Sequence, residues 1–335
     1  HFKPAALREN AELYIEESPR RGGAFSFAHE VRTDGTTNGV NDEQRHLNGF
    51  ALALFHQYYV MTGDEEFLRE SLYPVARGVA GFWSDLAVWN PSVEAYTFPR
   101  LRSVSEDLVE ESILDVVLSA RWSLETAVHY AERVDADEDA RHRWAKVTRE
   151  LHIPQNDRHY LEFLGDREDR EYGSYQGIRA PVYLGYPTSE LASRLDAGKA
   201  RRTLEHAWER NNHGKGMLGF IASWYALAAQ RYGLGDLALE MAGRNFDCYE
   251  HSGTALCEGP NNLDRYYVLT TTAAYLLVPL HMLVQEQEGQ VVPFPAVPEA
   301  WQEVAFHGIP AAGGRRVSGV MANGAVEQVK IEEHR

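Results

Sequence analysis

From residue 43 to 152 and again from 197 to 285, apolar residues return at helical spacing in one segment after another, punctuated by glycine turns and acidic caps, while 155–187 between them reads as a long loop rich in aromatics and charges. That pattern leaves little room for a sheet-based fold. Segments 43–62 and 65–86 are split by Thr62-Gly63-Asp64, a helix stop followed by a new cap. Segments 197–211, 216–232, 235–249 and 263–285 are broken at Gly214-Lys215-Gly216 and at Gly233-Leu234-Gly235-Asp236. Further helices are predicted over 5–17, from 108 to about 133, and over 137–152. Strand alternation begins only after the proline-rich run Val291–Pro298, in short stretches at 302–307, 314–321 and 325–332. The prediction is a mainly α protein, with antiparallel helix hairpins over 1–288 and a small β appendage over 289–335. Paired helices close into a toroid or stack into a solenoid, and the lack of a 20–50-residue period favours the closed toroid.

Charge narrows the partners. Lys plus Arg number 33 and Asp plus Glu 49, so the formal charge is 33 − 49 = −16. This argues against nucleic acid or an anionic membrane surface and suits a neutral or cationic ligand. Seven Trp, 17 Tyr and 13 Phe suit the faces of sugars and a large core equally. The most apolar window, 266–284, carries three threonines, Pro279 and His281 and reads as a buried helix, not a membrane span. Cys248 and Cys257 make no disulfide framework and no Cys-x-x-Cys pair, although one short-loop bridge stays open. Asp135-x-Asp137-x-Asp139 imitates a calcium loop, but Lys146 stands where the last ligand belongs, so a solvated helix start is expected. No metal or cofactor is expected. The chain opens on His1-Phe2-Lys3-Pro4 without a signal-peptide pattern, reads as beginning partway into something, and leaves the compartment open.

Two acidic stretches carry the candidate chemistry. Glu106, Asp107, Glu110 and Glu111 cluster where a polar loop turns into an apolar helix with Leu108, Val109, Ile113, Val116, Val117, Ala120, Leu124 and Ala127 on its buried stripe. Such acids cap the helix and favour its dipole, or one of them is a general acid at a pocket rim, its pKa raised by desolvation. Glu258 sits in the tight loop Cys257-Glu258-Gly259-Pro260-Asn261-Asn262, as an ordinary loop acid or as an aimed one. Together the two suit glycosidic-bond cleavage. One carboxyl protonates the leaving oxygen, and the other acts on the opposite face, roughly 6.5–9.5 Å away in inverting enzymes.

Several stretches resemble glycoside hydrolase family 65 and its six-hairpin, (α/α)6 relatives. Gly23-Ala24-Phe25 resembles a family turn, with Ser26-Phe27 in place of its Pro-Trp. His46-Leu47-Asn48-Gly49, Tyr58-Tyr59, Thr62-Gly63-Asp64 and Phe82-Trp83 follow the family's next helices. Val104-Ser105-Glu106-Asp107 falls where the family has its general acid, matching better in position than in motif. Ile178-Arg179 replaces a Lys-Gln pair, Gly216-Met217 to Ser223-Trp224 resembles a helix start, and Glu258 precedes Thr270-Thr271-Thr272, where hydrolase members have a base. Pro295 to Trp301 resembles the crossing into the family's C-terminal sheet.

The resemblance implies an (α/α)6 catalytic domain over 1–288, lacking its N-terminal helix, and an inverting hydrolase of an α-linked glucoside. Glu106 would be the general acid and Glu258 the general base, with Glu110 or Glu111 as acid if the alignment shifts by a turn. His46, Trp83, Arg179 and Trp224 would form the sugar subsite. The partner is a carbohydrate substrate, with no nucleic acid or membrane; a homodimer is an allowed assembly. A phosphorylase is the enzyme alternative, and a shortened carbohydrate-binding member without chemistry is the other.

Overall fold

The computed structural model describes residues 24–27, 44–106, 108–167, 183–185, 195–249, 256–261, 263, 269–287 and 289–333. The helix predicted over 5–17 lies outside them. The chain divides into two compact units, one formed by 1–59, 64–156 and 160–173, the other by 60–63, 157–159 and 174–335.

In the first unit, α1 (Leu47–Thr62) is followed by a short turn, Glu65–Phe67, capped by the Asp64 carboxylate, which accepts from the Phe67 amide at 3.0 Å. A π-helical stretch, Leu68–Leu72, then runs unbroken into α2 (Tyr73–Leu86). Two antiparallel hairpins follow, β1 (Val88–Asn90) with β2 (Ala95–Thr97) and β3 (Arg100–Arg102) with β4 (Val109–Glu111). Then come α3 (Leu114–Val134) and α4 (Glu138–Arg149), and α2, α3 and α4 pack on one another. The predicted stripe is buried from Ile113 onward, through Val116, Val117, Ala120, Leu124 and Ala127.

The helix begins later than its apolar spacing suggested. Val109 to Glu111 pair with Arg102 to Arg100 as a strand, and Ser112 then takes φ +46, which an α-helix cannot pass through. Its hydroxyl accepts from the Phe98 amide at 2.9 Å and fixes the break. Glu106, Glu110 and Glu111 therefore sit on a hairpin, not at the helix entrance, and Asp115 is the acidic residue of α3's first turn. The Asp135–Asp139 run is likewise structural. Asp135 closes α3 in the left-handed region, while the Asp137 carboxylate accepts from the Tyr73 hydroxyl (2.6 Å) and pairs with Arg77 (2.8 Å). Burial and Asp137 together hold the Tyr73 hydroxyl well above its ordinary pKa.

In the second unit, α6 (Gly219–Arg231) is buried almost all round, and α5 (Ala197–Arg210), α7 (Gly235–Gly243) and α8 (Leu269–Leu283) pack on it. The end of α8 runs directly into the hairpin β5 (Val284–Gln287) and β6 (Gln290–Pro293). A three-stranded antiparallel sheet follows in the order β7 (Val304–Ala311), β8 (Arg315–Ala322), β9 (Ala325–Glu333). Val284, Ala311 and Val317 form its core with Leu283, Val291, Phe306 and Ile309, so the sheet packs on the end of α8. The protein is mainly helical with small sheets. Among the described residues no helix is long and apolar enough to cross a membrane.

Two glycines separate packing from propensity. A Cβ on Gly78 would stand 2.1 Å from the buried Phe25 ring, whereas one on Gly243 meets nothing within 4 Å. Gly78→Ala is expected to lose about 1–3 kcal/mol to overpacking despite its better helix propensity. Gly243→Ala is expected to gain up to about 1 kcal/mol. Denaturant midpoints at constant m-value measure both.

Candidate active site

Glu106 occupies the tip of the β3–β4 hairpin. The Ser103 amide donates to the Leu108 carbonyl (2.8 Å), and the Glu106 amide donates to the Ser103 carbonyl (3.1 Å), closing a tight turn. Glu106 itself lies at φ +64, a left-handed position that costs a residue with a Cβ about 1 kcal/mol. The surroundings hold it there. The Arg102 guanidinium donates to the Glu106 carbonyl, and the Gln44 amide donates to the Ser103 carbonyl at 3.0 Å. The Ser105 amide donates to the Ser103 hydroxyl at 3.2 Å.

The start of the turn is tied to Asp115. One carboxylate oxygen accepts from the Val104 amide (2.6 Å) and the Ser103 hydroxyl (3.2 Å), and the other accepts from the Val116 amide (3.0 Å). The side chain is wholly buried, and burial pushes its pKa up to about 6 against the lowering effect of these donors. His46 stands beside it, with Nδ1 3.9 Å from the carboxylate. One turn further along α3, the Ser119 hydroxyl donates to the His46 carbonyl (2.7 Å) and accepts from the Gly49 amide (2.9 Å). Asn48 accepts from the Phe27 amide (2.8 Å) and the Ser26 hydroxyl (3.2 Å). The His46–Gly49 stretch is thus tied to α3 and to the segment at 24–27.

The other residues singled out in the sequence fall in different surroundings. Trp83 is wholly buried, edge-on to Phe82 and Phe98, so in this structure it is core and presents no face to a sugar. Arg179 lies outside the described residues. Glu110 faces Arg100 at 3.9 Å, and Glu111 is exposed at the end of β4. Trp224, partly buried on α6, meets Phe220 edge-on at 5.2 Å. Glu258 belongs to the second unit and Glu106 to the first.

Glu258 is also fixed through its backbone. Its carbonyl accepts from the Gly219 amide (3.0 Å), the first N–H of α6, and the Cys257 amide donates to the Cys248 carbonyl (2.8 Å). A Cβ on Gly219 would lie 2.5 Å from Thr271, so only glycine brings the helix start this close to α8. Cys248 and Cys257 are buried free thiols, and burial pushes that of Cys248 up to about 12, which makes it inert. Among the described residues no cluster of three or more ligating side chains could hold a metal.

Residues 12–162 match the model described as the glycosyl hydrolase family 65 central catalytic domain. Over that stretch, which is under half of the chain, the sequence is similar to that domain. A solved structure described as "Putative kojibiose phosphorylase from human microbiome" superposes with a TM-score of 0.70 at 11% identity. The match covers 100% of this chain and 50% of that one, so the chain spans about half the length of that protein and shares its fold there. No curated protein matches in sequence. Asp115, Ser103 and Gln44 did not stand out in the sequence. The one available signal was an acid in the middle of the apolar run Ile113-Leu114-Asp115-Val116-Val117, where burial demands partners.

The Asp115 carboxyl makes stability depend on pH in a defined direction. Its folded pKa lies above the unfolded value of 3.8, so its stabilising contribution is complete below pH 3.8 and is lost as pH rises through about 6. The loss amounts to roughly 3 kcal/mol. Asp115→Asn removes this component, so the wild-type-minus-variant stability should fall between pH 4 and 7 in urea titrations; a flat difference contradicts the burial.

Proposed function

We propose that the protein cleaves an α-linked glucoside, with Glu106 as the general acid. The observation that carries this reading is the hairpin tip: a carboxylate-bearing residue kept in a costly left-handed conformation by a buried network. Strain of that kind is sustained where a side chain must be aimed. The family match over 12–162, which spans this hairpin, supports the same role. In the proposed step the Glu106 carboxylic acid gives its proton to the glycosidic oxygen as the bond to the anomeric carbon breaks.

In the hydrolytic form Glu258 takes a proton from the water whose oxygen forms the new bond to that carbon, with inversion. Its position in a tight loop beside the N-terminus of α6 supports this assignment. The helices would then belong to an (α/α)6 toroid, with the partly buried Trp224 toward the sugar, whereas His46 is buried beside Asp115 as Trp83 is buried in the core. A second reading is phosphorolysis, favoured by the name of the structurally similar protein. There phosphate supplies the attacking oxygen and Glu106 keeps its role.

Glu106→Gln should lower turnover of α-linked glucose disaccharides by about 10²–10⁴-fold with the fold retained. Glu258→Gln should do the same only if water is the acceptor. Proton NMR of the released anomer and phosphorus NMR for a sugar phosphate, with and without phosphate, separate the two readings. Sugar binding without either product would leave a binding protein.

A further inference from the structure

We infer that Asp115 is the positioning residue for the proposed general acid, acting on Glu106 through the Ser103–Val104–Ser105 backbone and not through its side chain. The inference rests on the reading of Glu106 as the acid. Asp115 lies on α3, nine positions after Glu106, and its two oxygens take three donors, of which two, the Val104 amide and the Ser103 hydroxyl, belong to the turn. The Ser103 hydroxyl is used twice, giving its proton to Asp115 and accepting the Ser105 amide. The Ser103 carbonyl accepts the Glu106 amide that closes the turn. Every residue from 103 to 106 is therefore fixed, directly or through Ser103, to one buried carboxylate on a rigid helix.

A helix-anchored carboxylate sets position better than a free loop does, and a displacement of about 1 Å at a reacting group costs about 10²-fold in rate. The left-handed backbone at Glu106 makes the anchor necessary, because a loosened turn relaxes toward ordinary φ values and re-aims the side chain. A carboxylate is needed at this place. An alanine would leave three buried donors without an acceptor, whereas asparagine keeps one acceptor oxygen for Val104.

The test compares wild type, Glu106→Gln, Asp115→Ala, Asp115→Asn and Ser103→Ala on α-linked glucose disaccharides and on α-glucosyl fluoride. Fluoride departs without protonation, so a defect confined to the acid spares that substrate. Asp115→Ala should lower kcat on the disaccharide by about 10–100-fold at nearly constant KM, with α-glucosyl fluoride turnover kept within about threefold. Asp115→Asn should recover part of the loss. Ser103→Ala, the milder change should Asp115→Ala not fold, should show the same selective loss at about 5–10-fold. Equal losses on both substrates, or unchanged kcat on the disaccharide in a folded variant, overturn the inference while leaving Glu106 as the acid. Loss of selectivity in Glu106→Gln itself, or a wild type inactive on both substrates, overturns the reading of Glu106 and the inference with it.

Discussion

A single buried carboxylate organises the first unit. Asp115 is held without access to water, where an ionised acid is expensive, and its pKa is raised accordingly. Three donors offset that cost, one from its own helix and two from the hairpin. An apolar residue at 115 would pack the helix more cheaply but would leave the Val104 amide and the Ser103 hydroxyl buried without acceptors. The fold therefore trades some stability at neutral pH for a fixed turn. Ser119, one turn on, extends the arrangement along the same face of α3, where it holds the start of α1 through the His46 carbonyl and the Gly49 amide. The close approach of α1 and α3 depends on Gly49, since a Cβ there would lie 2.6 Å from the Ser119 hydroxyl.

The second unit fixes its candidate acid by a related device. The Glu258 carbonyl accepts from the first amide of α6, and the amide of its neighbour Cys257 donates to the Cys248 carbonyl beside the Tyr249–Leu256 bridge. Around the same helix start the Asn245 amide donates to the Ser223 hydroxyl (3.0 Å) and the Ala242 carbonyl (2.9 Å), a buried pair that locks α6 to the end of α7. In both units the segment bearing the glutamate is secured through main-chain groups.

Most of the helical architecture was legible because it rests on local patterns. The stops at Gly63 and Gly233 and the cap at Asp64 are properties of single residues, and the structure uses them as such. The C-terminal strands were legible for the same reason, each being an alternating run bounded by glycine. The β3–β4 hairpin was not, since its strands have three residues each and leave too little for alternation to show. Leu108 and Val109 also happen to continue the stripe of α3 backwards, so helical spacing claimed them. Trp83 misled in another way. A tryptophan near an expected sugar site is indistinguishable in sequence from a core tryptophan, and only its contacts with Phe82 and Phe98 decide. Asp115 was hidden because two of its three donors are backbone amides, which leave no trace in composition.

If Glu106 is the general acid as proposed, the importance of the hairpin does not depend on which nucleophile completes the reaction. Water needs a base and phosphate does not, so the part played by Glu258 is tied to the acceptor. In the proposed reaction the leaving oxygen must gain a proton in either case, and that requirement would fall on Glu106. A turn that keeps one carboxyl aimed is thus common to both chemistries, whereas the second carboxyl is specific to one. The heavier structural investment lies at the shared step. Glu106 sits in a strained backbone braced by Asp115, Ser103, Gln44 and Arg102, while the Glu258 segment is secured by main-chain hydrogen bonds to Gly219 and Cys248. On the proposed reading, a change of acceptor would involve the Glu258 segment and leave the scaffold around Glu106 undisturbed.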